Sequence, residues 1–434
     1  MDPSSASHLG DERTQNAGSR IGAVSPVRLG RRPVLDGLRG FAVLAVVGLH
    51  LGLIPGGYAG VDVFFVLSGF LITALLYEEW ESGGEIRLRA FYARRVRRLL
   101  PALLLLVAGF TAVMLVLQPF GGLWPLGRLI ATTLLDVNNW VTALVPRHGR
   151  VLGALVPTWT LAEEVQFYLL WPFALALLLR RRTRTVVTLG LLSLGMFSLL
   201  GAAELMRDIY PYYNAYTSPF DRAAELLLGS AAAIVWRERL LPAALRSRAA
   251  AWIAAGGLVF VMLDAAVPAR WWYMSSALLA AVLIVNLIDG GRQATDPRPR
   301  TRREASVLAR LIGSRPLQHT GKISYGIYLY HLPIYYLLWT VAPGRSRYLY
   351  APIVMATSFA MATMSWRLIE APVLRHRSRK RRPGHAPDGR PATGSGTVPA
   401  NRRVDAVPRQ RRRRERALWV RSRVGLSRAE RRRG

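Results

Sequence analysis

The chain has 434 residues, 51% of them hydrophobic, with no cysteine and with 58 Lys and Arg against 26 Asp and Glu, a formal net charge of +32. Without a sulfur ligand or nucleophile it cannot be a disulfide-stapled module, a thiol enzyme, an iron–sulfur protein or a cysteine-zinc protein. A positive mean hydropathy (+0.21) beside so large a charge places apolar and basic residues in separate stretches, a pattern that argues against a soluble globule.

Residues 1–33 are polar and contain no apolar stretch of signal-peptide type, so a disordered cytoplasmic lead is expected there. A bilayer core of roughly 30 Å needs about 20 apolar residues per helix. Ten runs meet that need: 36–54, 61–79, 99–118, 158–179, 185–203, 220–236, 250–267, 271–289, 322–341 and 350–370. The segment 123–145 is apolar enough to be an eleventh, but inserting it would invert every later loop, so it reads as an outer-face or re-entrant helix.

Short cytoplasmic loops are enriched in Arg and Lys. With the N-terminus inside, every dense arginine cluster falls on the inner side: 87–98, 180–184, 237–248, 292–315 and the tail from Arg375. The outer connections carry Gly, Pro and Tyr with few charges. The expected fold class is therefore all-α: a polytopic membrane helix bundle of about ten transmembrane helices, both termini cytoplasmic, in the cell's inner (plasma) membrane. The transmembrane domain covers 34–374. The remaining 375–434 hold 21 Lys and Arg against 4 acids and should be a disordered basic tail that meets anionic membrane lipids. Nucleic acid is not an expected partner, because Trp419 alone supplies the aromatic interleaving that a single-strand binder uses.

Ionisable groups inside membrane helices are costly and mark a site or an internal pair. In the first run Asp36 and Arg39 are three apart and can share a face. Arg39 and His50 are eleven apart, three turns plus about 20°, so they point the same way at ~16 Å separation along the axis. The bland alternative is a snorkelling arginine and a structurally hydrogen-bonded histidine. The other runs sort by depth. Asp62, Glu164, Arg222 and Glu225 lie near the outer end with His50, whereas Arg39, Arg94, Arg95, Arg97, Arg98, Lys322 and Glu370 lie near the inner end, and His331 is close to the middle of the ninth run. An imidazole among carboxylates has the makings of a general base. Clustered arginines can hold phosphates or simply obey the loop-charge rule. Arg222 and Glu225, three apart, can contact a substrate or only each other.

Several segments carry a family pattern. They are Arg39-x10-His50, GYAGVDVFFVLSGF at 57–70, FYARRVRRLLP at 91–101, PTWTLAEEVQFYLLWP at 157–172, FDRAAELLLG at 220–229, SYGIYLYHLPI at 324–334 and WRLIEAP at 366–372. In this order they resemble the acyltransferase-3 family of integral membrane O-acyltransferases from about residue 33 to 374. One departure is that the family's WSLxxEEQFY reads WTLAEEVQFY here, with Glu164 in the usual place, Val165 beside it and an extra acid at Glu163. Some members carry an extracytoplasmic SGNH-type domain after the last helix, for which this tail is too short and too basic; such a domain would be a separate partner chain.

The resemblance implies transfer of an acyl group, commonly acetyl from acetyl-CoA, to a hydroxyl of a cell-envelope glycan, glycolipid or exported small molecule, with His50 central. Acyl-CoA is then a co-substrate rather than a bound cofactor, and no metal is called for. The depth sorting suggests CoA phosphates on Arg95 and Arg98 with Arg39 further along, and the thioester reaching His50. His50 would deprotonate the acceptor or take the acyl group itself, with Glu164 or Asp62 orienting it. Arg222, Glu225 and His331 are expected to line the substrate pocket. Motifs of serine-elbow and Walker type are absent. The alternative is a secondary transporter or exporter of a small molecule with a buried proton relay, although the two halves show no repeat.

Overall fold

The computed structural model describes residues 29–30, 32–117, 123–144, 153–181, 185–205, 215–264, 269–293 and 307–374. All of them belong to one compact unit, Met1–Arg381. The expected disordered tail lies outside the described residues, as does most of the expected lead, which is described only from Leu29. There Leu29 is buried and its N–H donates to Glu78 Oε2 at 3.2 Å.

Each of the ten apolar runs coincides for most of its described length with one helix, and no strand occurs among the described residues. They are α1 (Pro33–His50), α2 (Ala59–Gly83), α3 (Leu88–Leu117), α6 (Thr158–Arg180), α7 (Thr185–Leu205), α8 (Pro219–Glu238), α9 (Arg248–Leu263), α10 (Ala269–Gln293), α13 (Ser324–Val341) and α14 (Arg347–Ser365). The last continues as a π-helical turn, Trp366–Glu370. Five are long and apolar enough to cross a membrane: α1, α2, α3, α6 and the 272–289 part of α10. Helix α7 contributes a shorter apolar stretch, and α9 is itself short. Helix α8 carries Arg222 and Glu225, and α13 carries Tyr325, Tyr328, Tyr330, Tyr335 and Tyr336, which lower their hydropathy. Of the segment 123–145, the described residues 123–144 form two short helices, α4 (Leu123–Leu134) and α5 (Asn138–Leu144), broken at Asp136, whose φ of 51° is left-handed; neither is long enough to cross. Two further short helices, α11 (Val307–Ile312) and α12 (Arg315–Lys322), precede α13.

Large apolar side chains point outward along the long helices: Leu170 of α6 is 73% exposed and Leu191 of α7 is 65% exposed. A soluble protein would pay for such surface, whereas a membrane protein offers it to lipid.

Helix α1 is shared by the two largest apolar clusters. Leu38, Ala42 and Ala45 face the cluster built with α2, α8, α9 and α10. Val43 and Val47 face the one built with α3, α6, α13 and α14. Pro33 opens the helix where its missing N–H costs nothing, and Gly52, at φ 68°, turns the chain away after His50. On the remaining side α12 lies so close that a Cβ at Gly321 would overlap the Asp36 carbonyl and one at Gly40 would overlap the Leu317 carbonyl. Small residues allow this backbone approach. It holds α12, and hence the start of α13, in a fixed register against the Arg39 end of α1.

Candidate active site

Helices α1 and α13 pack against each other, and their polar residues meet at both ends of the contact. At the far end stand two imidazoles. Half-buried His50, the last residue of α1, has its Nδ1 3.0 Å from Nε2 of His331, which is 1% exposed. The His331 Nδ1 turns back to its own helix, 2.7 Å from the Tyr328 carbonyl and 3.2 Å from that of Ile327. The i−3 and i−4 spacing places those carbonyls beneath the ring.

At the near end a cavity of about 690 Å³ is lined by six cationic side chains, Arg39, Arg94, Arg95, Arg97, Arg98 and Lys322, and by only two carboxylates, Asp36 and Glu370. Its volume is of the size that cofactor-scale ligands occupy. Arg39 Nε and Arg95 Nε are buried without a hydrogen-bond partner among the described residues, so two donors are available to an incoming acceptor. Arg39, Ser324 and Tyr325 also line a second, narrow cavity of about 60 Å³, whose other walls include Phe64, Phe65, Thr160, Glu164 and Tyr328. Tyr328 ends this path: its hydroxyl takes the Thr160 Oγ1 hydrogen at 2.8 Å, and its ring centroid is 5.8 Å from that of His331. Along α13 the residues Ser324, Tyr325, Tyr328 and His331 thus form one face that runs from the basic cavity to the imidazole pair.

The acids expected to orient His50 are engaged elsewhere. Glu164 accepts from Ser68 Oγ at 2.5 Å and from the Tyr168 hydroxyl at 3.0 Å. The Tyr168 ring in turn lies under Arg95, at 5.8 Å. Asp62 accepts from Arg222 at 2.5 Å and also from Ser276. Arg222 lies 2.8 Å from Glu225, and Asp62, Arg222 and Glu225 are all 0% exposed. Four rings, of Phe65, Trp159, Tyr216 and Tyr273, surround the guanidinium within 6 Å. Expected in a substrate pocket, Arg222 and Glu225 are instead an internal ion network with Asp62 in this structure. The extra acid Glu163 turns away from Glu164, accepting from Asn139 of α5 at 2.9 Å.

A family model described as an acyltransferase domain matches residues 32–367. The chain belongs to this acyltransferase family. Among similar acyltransferases are the peptidoglycan O-acetyltransferase OatA of Listeria monocytogenes, 34% identical over 359 residues, and the putative peptidoglycan O-acetyltransferase YrhL of Bacillus subtilis, 32% identical over 361. The O-acetyltransferase OatA of Staphylococcus aureus is 30% identical over 359 residues. Each alignment covers 79% of this chain and 55%, 54% and 57% of the respective relative, so the chain spans about half the length of the curated relatives it matches. No solved structure matches the chain.

Sequence reasoning for this acyltransferase found both histidines but not their contact, because nothing in spacing says that α13 lies beside α1. It also missed Ser68, Thr160 and Tyr328. Ser68 stands within FFVLSGF and Tyr328 within SYGIYLYHLPI, so the motifs held the only signal; hydroxyl side chains in apolar runs are too common to single out otherwise.

Proposed function

We propose that the protein is a membrane O-acyltransferase that moves an acyl group, acetyl foremost, from acyl-CoA to a hydroxyl of a cell-wall glycan. The observation that carries this reading is that the basic cavity and the narrow one share Arg39, Ser324 and Tyr325 as lining, and that Tyr328 at the narrow one has its ring 5.8 Å from that of His331, which in turn meets His50. The phosphates of CoA would lie against Arg95 and Arg98, with Arg39 guiding the pantetheine arm toward the imidazoles. Arginine forks and the unpartnered Nε donors suit phosphate oxygens. The names of the Listeria and Bacillus relatives point to peptidoglycan as the acceptor. Glycolipids and exported small molecules present the same hydroxyl chemistry.

In the reaction the acceptor oxygen attacks the thioester carbonyl carbon while its proton passes to His50. The C–O bond forms, the C–S bond breaks, and the departing thiolate of CoA takes the proton back from His50. A positioned base of this kind contributes about 10²–10⁴ in rate. The donor cavity opens on the cytoplasmic side in this scheme, and the imidazole pair faces the envelope side of the plasma membrane. Membership of an acyltransferase family weighs against the transporter alternative.

The test is purified protein in liposomes with radiolabelled acetyl-CoA and soluble peptidoglycan fragments. Acceptor-dependent CoA release, abolished in His50→Ala, supports the enzyme. Counterflow without thioester cleavage, or full activity in His50→Ala, overturns it.

A further inference from the structure

We propose that His331 is a positioning residue for this acyl transfer, fixing the tautomer and direction of His50 so that His50 Nε2 offers its lone pair to the reacting hydroxyl. The inference rests on the reading of His50 as the base and adds to it the group that makes it one.

The assignment follows from the partners. Both groups facing His331 Nδ1 are backbone carbonyls, at 2.7 and 3.2 Å, and a carbonyl only accepts. The Nδ1 therefore carries the proton. A neutral imidazole has one N–H, so His331 Nε2 is an acceptor. The atom 3.0 Å from it is His50 Nδ1, which must then donate. That leaves the lone pair of His50 on Nε2. Charging His331 instead would give it two N–H groups, but its partners among the described residues are two carbonyls and one imidazole, with no carboxylate beside the buried ring.

The division of labour matches the burial. His331 is 1% exposed and tied to the backbone of α13, so its ring has little freedom. His50 ends its helix half-buried, where a substrate can reach it. In hydrolase triads a carboxylate holds the imidazole in the working tautomer, and removing that control costs orders of magnitude in turnover. Here a neutral imidazole does the same job by direction, with the Val46 carbonyl one turn back on α1 as a further acceptor at the His50 ring. When His50 accepts the hydroxyl proton at Nε2, its Nδ1–H stays on His331, and the proton leaves again with the thiolate; His331 itself gains and loses none.

The test uses the full chain in liposomes and has two readouts. The first is ¹⁵N spectroscopy of histidine-labelled protein, with His50 assigned by its loss in His50→Ala. The expected result is a protonated Nδ1 and unprotonated Nε2 at His50 in the wild type, retained in His331→Gln, whose amide oxygen can replace the acceptor, and scrambled in His331→Leu. A wild-type His50 protonated at Nε2 overturns the proposal whatever the enzyme's acceptor proves to be. The second is turnover of acetyl-CoA with peptidoglycan fragments. His331→Leu should lower kcat by about 100-fold with KM for acetyl-CoA unchanged, and His331→Gln should recover at least about tenfold of that loss. Wild-type kcat in His331→Leu, or equal losses in the Leu and Gln variants, overturns the positioning role. Activity in His50→Ala would instead remove the reading beneath it.

Discussion

Ser68 of α2 donates a 2.5 Å hydrogen bond to Glu164 of α6, and the other Glu164 oxygen accepts from Tyr168 at 3.0 Å. Glu164 therefore ties two helices together at the wall of the narrow cavity, which Arg39 also lines. Truncation in Glu164→Ala strands two hydroxyls, takes from Arg95 its nearby acid and leaves Arg39 with Asp36. A loss of about 1–3 kcal/mol per stranded buried group is expected, read as a lowered melting temperature in detergent. Ser68→Ala, which leaves the carboxylate with Tyr168, should cost less.

Arg222 stands between two carboxylates with no solvent contact. Arg222→Met leaves Asp62 and Glu225 facing each other without a counter-charge, and removal of one partner from a buried ion pair costs about 3–5 kcal/mol. The triple variant with Asp62→Asn and Glu225→Gln should regain part of that loss. Thermal unfolding followed by tryptophan fluorescence checks both, and a Tm unchanged in Arg222→Met would contradict the structural role.

The backbone contact of Gly321 with Asp36 leaves no room for a methyl group. Gly321→Ala should force α12 away from α1 at a cost of about 1–3 kcal/mol. Because α12 leads directly into Ser324 and Tyr325, the shift should also raise the apparent KM for acyl-CoA. Gly109, where a Cβ meets nothing, is the matched control.

Charge reversal of Arg95 and Arg98 should raise KM for acyl-CoA at least tenfold, in line with loss of two charge-assisted contacts, with a smaller change in kcat. Titration of initial rate against acetyl-CoA decides it. An unchanged KM would return these arginines to the role of topology signals.

Asp136, at the bend between α4 and α5, is pushed from the ordinary 3.8 up to about 6 by burial, and its Oδ1 has no hydrogen-bond partner among the described residues. A carboxyl raised on folding stabilises most when protonated, below pH ~4, and that stability is lost as the pH rises through about 6. Asp136→Asn removes the charge and tolerates the left-handed backbone. Limited proteolysis at this bend should become easier from pH 5 to 7.5 in the wild type and stay constant in the variant.

Sequence alone reached the apolar helices because their signal is local: a run of apolar residues is legible wherever it packs, and each of the ten runs coincides with a helix, five of them long and apolar enough to cross a membrane. Motif spacing likewise singled out Arg39 and the 94–98 arginines, which line the basic cavity, and His50, which meets His331. For the partner of His50, depth suggested Glu164 or Asp62, whereas the imidazole beside it in the structure is His331. Depth is only one coordinate; the rotation of α2 and α6 about their axes, set by packing, turned Glu164 to Ser68 and Asp62 to Arg222.

The sequence by itself determined what each helix could carry, since side-chain chemistry and periodicity are properties of single segments. Only the tertiary structure decided which of those groups meet. Residues 50 and 331 are 281 positions apart, and their 3.0 Å contact exists because glycine-mediated backbone packing sets α12 and α13 in register against α1.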